Sequence, residues 1–153
     1  MTEPSIRRAN ETDIDALIAF NQGIARETEG RELDGPTLAA GITALLADEP
    51  LGFYIVALND EHEVVGCLMV TREWSDWRNG VFWWVQSVYV RADHRRRGIY
   101  RRLYEHVKHL AEAHNVCGFR LYVERDNTIA QQTYAAMGMH ETVYRMYEEP
   151  TRR

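Results

Sequence analysis

The segment around Arg95 combines residue types and a spacing that suit phosphate binding. A β-rich run, Val81 to Val90, leads into a turn with three consecutive arginines and one glycine, Arg95-Arg96-Arg97-Gly98, and then into an amphipathic pattern. A helix N-terminus presents unpaired N–H groups and a partial positive charge, and arginine adds bidentate hydrogen bonds to phosphate oxygens. Arginines at this end of a helix oppose its dipole and are unfavourable there without an anion. Phosphate binding is therefore favoured over the alternative that the arginines are a solvated surface cluster.

The distribution of charge also favours one compact anionic ligand. The formal charge is −5, with 6 basic and 15 acidic residues in positions 1–90 and 12 basic and 8 acidic residues in positions 91–153. Six of the 18 basic residues, all arginine, lie between Arg91 and Arg102. Since the rest of the chain is acidic, a nucleic-acid or membrane partner is not expected, and RNA or DNA contact by the arginine segment is the less favoured alternative.

Two motifs in the second half of the chain carry more specific information. Arg95 to Tyr100 fits the pattern Q/R-x-x-G-x-G/A, except that Tyr100 stands where glycine or alanine is usual. Asn127 to Met139 fits N-x-x-A-x-x-x-Y-x-x-x-G-F/M, and the spacing places Asn127, Ala130 and Tyr134 on one helix face. Both segments resemble motifs of the GNAT superfamily of acetyl-CoA-dependent N-acetyltransferases.

The resemblance implies an enzyme that transfers an acetyl group from acetyl-CoA to a primary amine. Backbone amides of the arginine loop would hold the pyrophosphate, Asn127 would bond the pantetheine arm, and Tyr134 would protonate the departing thiolate. The arm would pair with the strand at Val88, whose N–H would polarise the thioester carbonyl. The implied cofactor-binding residues are Val88, Tyr89, Val90, Arg95, Arg96, Arg97, Gly98, Ile99, Tyr100, Arg101, Asn127 and Tyr134. The alternative is an acetyl-CoA-binding sensor or interaction module of the same fold without catalysis.

No general base is assigned by the sequence. Many relatives carry a glutamate in the strand before the loop, but counting back from Val88 at period two gives Gln86 and Trp84, and neither is a base. Gln86 is therefore a candidate for ordering a water that passes its proton to a nearby carboxylate. The carboxylates considered for this role are Glu73, Asp76 and Glu124.

Acidic and aromatic residues cluster where the acceptor amine is expected. Such surfaces suit a small-molecule cationic amine, and the candidate acceptor-binding residues are Glu29, Glu73, Trp74, Asp76 and Trp84. The competing interpretation places the tryptophans in the core and in a homodimer interface, with the acids solvated.

The hydrophobic pattern predicts the elements that position these residues. We expect one α/β domain over residues 1–153, with a mixed, mostly antiparallel sheet flanked by helices in the order βααβββαβαβ. The predicted strands are 5–9, 53–58, 64–71, 81–90, 119–123 and 139–147. The predicted helices begin at a capping box at Thr12, at Asp34, at Ile99 and at Ile129, and Gly138 is a left-handed cap.

Composition excludes several other classes. No apolar run approaches the ~20 residues that span a bilayer, and the first residues contain no signal-peptide core. Cys67 and Cys117 lack metal-type spacing and are expected to be reduced, buried thiols of a cytoplasmic protein. His106 and His109 lie one helical turn apart with no further ligand near them in sequence, so no metal site is predicted.

Overall fold

The computed structural model describes residues 3–152, and the chain divides into two compact units, residues 1–121 and 122–153. The elements of the first unit are β1 (Ser5–Arg8), α1 (Ile14–Glu29), α2 (Gly35–Ala47), β2 (Gly52–Leu58), β3 (Val64–Ser75), β4 (Gly80–Val90), α3 (Ile99–Ala111) and β5 (Val116–Arg120). The second unit contains α4 (Thr128–Ala136).

The five strands form one mixed sheet in the order β1-β2-β3-β4-β5. The pairs β1–β2, β2–β3 and β3–β4 are antiparallel, and the pair β4–β5 is parallel. This arrangement, with helices on the sheet, confirms the predicted α/β class. The β3–β4 hairpin is the longest, and it carries the strand that leads into the arginine loop.

The helices of the first unit cover both faces of the sheet. Leu17 and Phe20 of α1 pack with Ile42 of α2 against Tyr54 and Cys67 on one face. On the other face, the side chains of Ile99 and Leu103 of α3 lie against Gly66 of β3, within 3.3 and 3.6 Å of the position that a Cβ would take there. Burial of these side chains stabilises the fold by roughly 1.5–3 kcal/mol each.

The start of α1 differs from the predicted capping box at Thr12. Asn10 is the cap: its side chain accepts the Thr12 N–H, and the Asp13 carboxylate accepts the Asn10 N–H. A short 3-10 turn, Glu11–Asp13, then leads into the helix. Asp13 is only 3% exposed and receives two hydrogen bonds from Arg7. Because Asp13 is held in this position, the capping box begins at Asn10, two residues before the predicted Thr12.

The second unit confirms the predicted helix and not the predicted last strand. The Asn127 side chain caps α4 by accepting the Ala130 N–H, and Gly138 has a φ of +96°, as expected of a left-handed cap. Residues 139–147 form no strand, and Val143 and Tyr147 are 93% and 90% exposed. A strand requires a pairing partner and a buried face, and the alternation of apolar residues in this segment supplies neither by itself.

β5 also begins and ends three residues earlier than predicted. The structure has Val116–Arg120 where the pattern predicted 119–123. The earlier segment is the one that pairs with the first half of β4, with Val81 opposite Val116 and Trp84 opposite Arg120. Gly118 makes the pairing feasible, since a Cβ there would lie 2.7 Å from the Phe82 ring.

Within residues 3–152, no helix is both long enough and apolar enough to span a membrane. Cys67 is buried, and burial raises the pKa of its thiol to about 12, which keeps it protonated. Cys117 is exposed, so the expectation of a buried thiol was wrong at this position. Its position on the edge strand β5, with Gly118 rather than Cys117 facing Phe82, accounts for the exposure.

Candidate active site

A β-bulge at Ser87 interrupts β4 just before the arginine loop. Gln86 lies opposite Met69 and Tyr89 lies opposite Cys67, so Ser87 and the residue after it together face a single residue of β3. Ser87 has a φ of +49°, which is the left-handed conformation found in one type of bulge. Met69 and Cys67 share one face of β3, so Gln86 and Tyr89 share that face of β4.

Because of the bulge, the prediction that Val88 shares a face with Gln86 and Trp84 is wrong. Gln86 and Trp84 do share a face, but the third member of that face is Tyr89. Val88, next to Tyr89 in the strand, therefore points to the opposite side of the sheet. The side chains of Gln86 and Trp84 thus lie on one side, and the Val88 side chain lies on the other.

The second half of β4 has an open edge. β5 pairs with β4 only from Val81 to Trp84 and ends at Arg120, opposite Trp84. Beyond this point, no strand of residues 3–152 pairs with Val85–Val90 on that side. An open edge presents alternating backbone N–H and C=O groups, which is the pattern that an extended amide-containing ligand can pair with.

The loop after β4 has a backbone conformation that suits an anion. Arg96 has a φ of +64° and Gly98 a φ of +75°, and the residue between them does not have a positive φ. Such alternation turns successive N–H groups towards one side and forms an anion-binding concavity. Within residues 3–152, the N–H groups of Arg96, Gly98 and Ile99 donate to no backbone or side-chain acceptor. The left-handed conformation of a non-glycine residue costs about 1–2 kcal/mol, so Arg96 stores strain at this turn.

Three of the six arginines between Arg91 and Arg102 are paired with carboxylates. Arg91 bonds Asp93 at 2.7 Å and Arg102 bonds Glu3 at 2.9 Å. Arg95 donates through one terminal nitrogen to both oxygens of Glu27, at 2.9 and 3.1 Å. The backbone amides of the turn are therefore the groups best placed to receive an anion, and the arginine charge is partly neutralised.

Glu27 connects α1 to β4 and to the arginine loop. Its carboxylate accepts a hydrogen bond from the Tyr89 hydroxyl at 2.7 Å as well as those from Arg95. The Tyr89 hydroxyl and the Arg95 guanidinium lower the pKa of Glu27, although partial burial acts against them. Burial and the neighbouring Glu27 carboxylate raise the pKa of Tyr89, which keeps this phenol neutral.

A polar cluster lies on the same face of the sheet, where β4 and β5 diverge. Glu73 Oε1 accepts hydrogen bonds from Trp84 Nε1 at 3.0 Å and from Arg120 at 2.8 Å. Gln86 Nε2 donates to the Thr71 hydroxyl at 2.6 Å. Both protein donors to Glu73 use Oε1, and within residues 3–152 Oε2 receives no hydrogen bond. This oxygen is available to a cation or a water.

The other residues predicted for the acceptor are solvent-exposed. Glu29, beside the end of α1, lies 3.5 Å from Arg31, and both side chains are exposed. Trp74 is 62% exposed, and Asp76 lies in the turn of the β3–β4 hairpin. Trp83, by contrast, is 1% exposed and belongs to the core. The structure therefore brings together Glu73, Trp84 and Gln86, and it places Glu29 and Asp76 in separate exposed segments.

A cavity of about 620 Å³ lies between the loop and the β2–β3 turn, and Arg97 and Ile99 of the loop contribute to its lining. Its walls include Arg91 and Arg102, but they also include Glu3, Glu63 and Asp93, which pair with those arginines. Because five acidic residues and three arginines line it, this cavity suits an anion less well than the amide-lined turn.

The two residues that the second motif singled out lie on α4 or at its start. Asn127, Ala130 and Tyr134 are all partly buried, as expected for residues of one helix face. The Oδ1 of Asn127 is used in capping the helix, with a distance of 3.2 Å to Ala130 N. Glu124, considered as a base, accepts the Asp126 N–H within the loop that precedes the helix.

Comparison with known proteins decides the family. The sequence model of the acetyltransferase (GNAT) family matches residues 17–139. The chain belongs to this family. The GNAT match spans β2 to β4, the arginine loop, and α4, and it therefore includes both motifs and the bulged strand.

Solved structures agree with this membership. A possible acetyltransferase from Clostridium difficile 630 is 44% identical, with a TM-score of 0.91 over 99% of this chain and 100% of that one. A predicted acetyltransferase with acetyl-CoA from Clostridium acetobutylicum is 16% identical, with a TM-score of 0.78 over 95% of this chain and 96% of that one. An aminoglycoside acetyltransferase from an uncultured soil metagenomic sample is 17% identical, with a TM-score of 0.74 over 98% of this chain and 100% of that one. The last two share the fold alone. No curated protein matches the GNAT chain.

Three residues of the site were not predicted from the sequence. Tyr89 was predicted to contribute only through its backbone, and no role was predicted for Arg120. No contact between Glu27 and Arg95 was predicted. One signal for Glu27 was present: a glutamate in the last turn of a helix opposes the helix dipole and therefore calls for a cationic partner. No sequence signal marked the bulge, since Ser87 is not a glycine.

Proposed function

We propose that this GNAT acetyltransferase transfers the acetyl group of acetyl-CoA to a primary amine by direct attack on the thioester. The observation that carries the proposal is the open edge of β4 at Val85–Val90, which leads into the turn with outward amides at Arg96, Gly98 and Ile99. An extended amide-containing arm and a pyrophosphate, joined in that order, match this surface.

The residues of the loop and of β4 fit acetyl-CoA as cosubstrate. The N–H groups of Arg96, Gly98 and Ile99 would bond phosphate oxygens, and Arg96 and Arg101 would add charge, since neither forms an ion pair within residues 3–152. The open backbone of Val88–Val90 would hold the arm by strand-like pairing. Asn127 is the further candidate for contact with the arm.

Two groups of this chain would act on the reacting atoms. Acetyl-CoA supplies an activated acetyl group as a thioester. The Val88 N–H would donate to the carbonyl oxygen, an interaction typically worth ~3 kcal/mol in the transition state. Tyr134 would donate its hydroxyl proton to the departing sulfur, because a thiolate is a better leaving group when it is protonated as it departs.

The acceptor would bind beside Trp84, on the face of β4 that carries Gln86. The free Oε2 of Glu73 would receive the ammonium group, and the Trp84 ring would contribute a cation–π surface. Arg120 and Trp84 both donate to Oε1 of Glu73 and hold the carboxylate in place, which leaves Oε2 to face the ammonium group. Gln86, fixed by Thr71, would order a water that relays the amine proton to bulk solvent.

A panel of acceptors tests this proposal. Purified protein is incubated with acetyl-CoA and with polyamines, amino acids or aminoglycosides, and CoA release and the mass of the amine are both followed. The proposal expects acetylated product with at least one small cationic amine. Saturable acetyl-CoA binding without CoA release for any member would instead favour a non-catalytic acetyl-CoA-binding module.

A further inference from the structure

Three elements of the first unit meet at Glu27. The residue lies in the last turn of α1, its carboxylate accepts the Tyr89 hydroxyl of β4, and Arg95 of the loop donates to both of its oxygens. The Arg95 guanidinium also lies 5.2 Å from the centre of the Tyr89 ring. The three side chains therefore form one connected cluster, which we call the Glu27 cluster.

Arg95 is held at a second point. Its Nε donates to the Val90 carbonyl oxygen at 2.8 Å, at the end of β4. The planar guanidinium thus bridges the end of the strand and the end of α1, with donors fixed in relative direction. Because the next residue, Arg96, is the one with a φ of +64°, the two anchors fix the chain immediately before the strained turn.

The position of the Tyr89 ring leaves the cluster little room to shift. A Cβ at Gly23 of α1 would lie 2.9 Å from the ring, and the ring packs on Phe20 with their centres 5.2 Å apart. The hydroxyl that points at Glu27 is therefore set by packing. Glu27 and Arg95 are 45% and 41% exposed, so their ion pair stabilises the fold little, and its geometry is the more significant feature.

We propose that Glu27 is a positioning residue for the cofactor loop, acting through Arg95. The proposal rests on the proposed function, since it takes the turn at Arg96 to Gly98 as the pyrophosphate site. Glu27 touches no part of the cofactor; it holds Arg95, and Arg95 holds the amides of the turn in their outward orientation. The end of α1 thereby becomes part of the cofactor site.

The experiment measures loop order and cofactor affinity separately. ¹⁵N relaxation of the Arg96, Gly98 and Ile99 amides is recorded without ligand, and CoA binding is measured by calorimetry. The variants are Glu27→Gln, Arg95→Gln and the double variant. Glu112→Gln, which makes the same charge change at an exposed site, is the control; its partner His109 lies 3.7 Å away.

Each single variant is expected to lower the order parameters of these amides and to weaken CoA binding roughly tenfold, in the usual range for coupled sites. The double variant is expected to bind CoA no more weakly than the weaker-binding single variant, because Glu27 acts on the turn only through Arg95. Unchanged loop order, or losses of affinity that add in the double variant, would overturn the proposal. No CoA binding by the wild-type protein would overturn the proposed function, and the relaxation data would still decide whether Glu27 orders the loop.

Discussion

Gln86 and Tyr89 project from the same face of β4, although three positions separate them. In a regular strand this spacing places two side chains on opposite faces, and the bulge at Ser87 reverses the result. The Gln86 amide reaches Thr71 and the Tyr89 hydroxyl reaches Glu27 because of it. The bulge thus places polar groups from β4 beside the open edge, where transfer is proposed to occur.

Gly23→Ala is expected to destabilise the protein even though alanine favours helices by about 1 kcal/mol. The added Cβ would lie 2.9 Å from the Tyr89 ring, and the resulting overpacking costs about 1–3 kcal/mol. Gly41→Ala on α2 is the matched control: its Cβ would meet nothing within 4 Å, so it should stabilise by about 0.5–1 kcal/mol. Urea unfolding of both variants checks this, and equal stabilisation would contradict the packing at Gly23.

Asp13→Asn is expected to lower the free energy of unfolding by about 2 kcal/mol at neutral pH, because it leaves Arg7 without its buried partner. Burial acts to raise the pKa of Asp13, but bonds from Arg7 and from the Asn10 N–H outweigh it and lower the pKa below the ordinary value. The ionised carboxylate therefore stabilises the fold above about pH 4, and this stabilisation is lost as the pH falls through the folded-state pKa.

The measurement is urea unfolding of the wild type and of Asp13→Asn at neutral pH and at about pH 3. The difference between the two proteins should shrink in acid. A difference that stays constant with pH would show that the Asp13 charge contributes nothing.

The parts of the fold that the sequence predicted are those specified by local pattern. The apolar stripe from Ile99 to Ala111 has a helical period, and the structure has α3 at those residues. The segment 139–147 has the composition of a strand, but composition does not provide a partner strand, and no strand forms there. Positions set by pairing between distant segments, such as the start of β5, were accordingly the ones predicted incorrectly.

The same distinction applies to the candidate site. The arginine loop was predicted as an anion site because its residues are consecutive, but the positive φ of Arg96 was not part of that prediction. The partner of Arg95 lies 68 residues away in sequence, so no local pattern could reveal that Glu27 holds it. The pairing of Glu73 with Arg120, 47 residues apart, escaped prediction for the same reason.

Tyr134→Phe is expected to lower kcat by about 10²–10³-fold, the usual contribution of a general acid, and to leave the affinity for CoA within a few-fold. The ring and its packing are retained and only the proton donor is removed. Tyr147→Phe removes a hydroxyl from a side chain that is 90% exposed and should behave as the wild type. Steady-state kinetics with CoA calorimetry checks this, and an unchanged kcat would remove Tyr134 from the mechanism.

Glu73→Gln is expected to raise KM for a cationic amine acceptor by about tenfold while KM for acetyl-CoA stays unchanged. The amide keeps an oxygen for Trp84 and Arg120 but loses the charge that would attract the ammonium group. Glu112→Gln serves as the control for net charge. Equal effects of the two variants on the acceptor KM would show that Glu73 has no specific role in binding it.

Calorimetric titration with acetyl-CoA tests the central claim most directly, namely that the turn at Gly98 is the cofactor cradle. Gly98→Ala and Gly30→Ala both place a Cβ on a residue with positive φ, +75° and +64°, with no other atom within 4 Å, so each costs about 1 kcal/mol of stability. We predict saturable binding by the wild type and by Gly30→Ala, and binding at least tenfold weaker by Gly98→Ala. Equal binding by both variants, or no binding by the wild type, would contradict it.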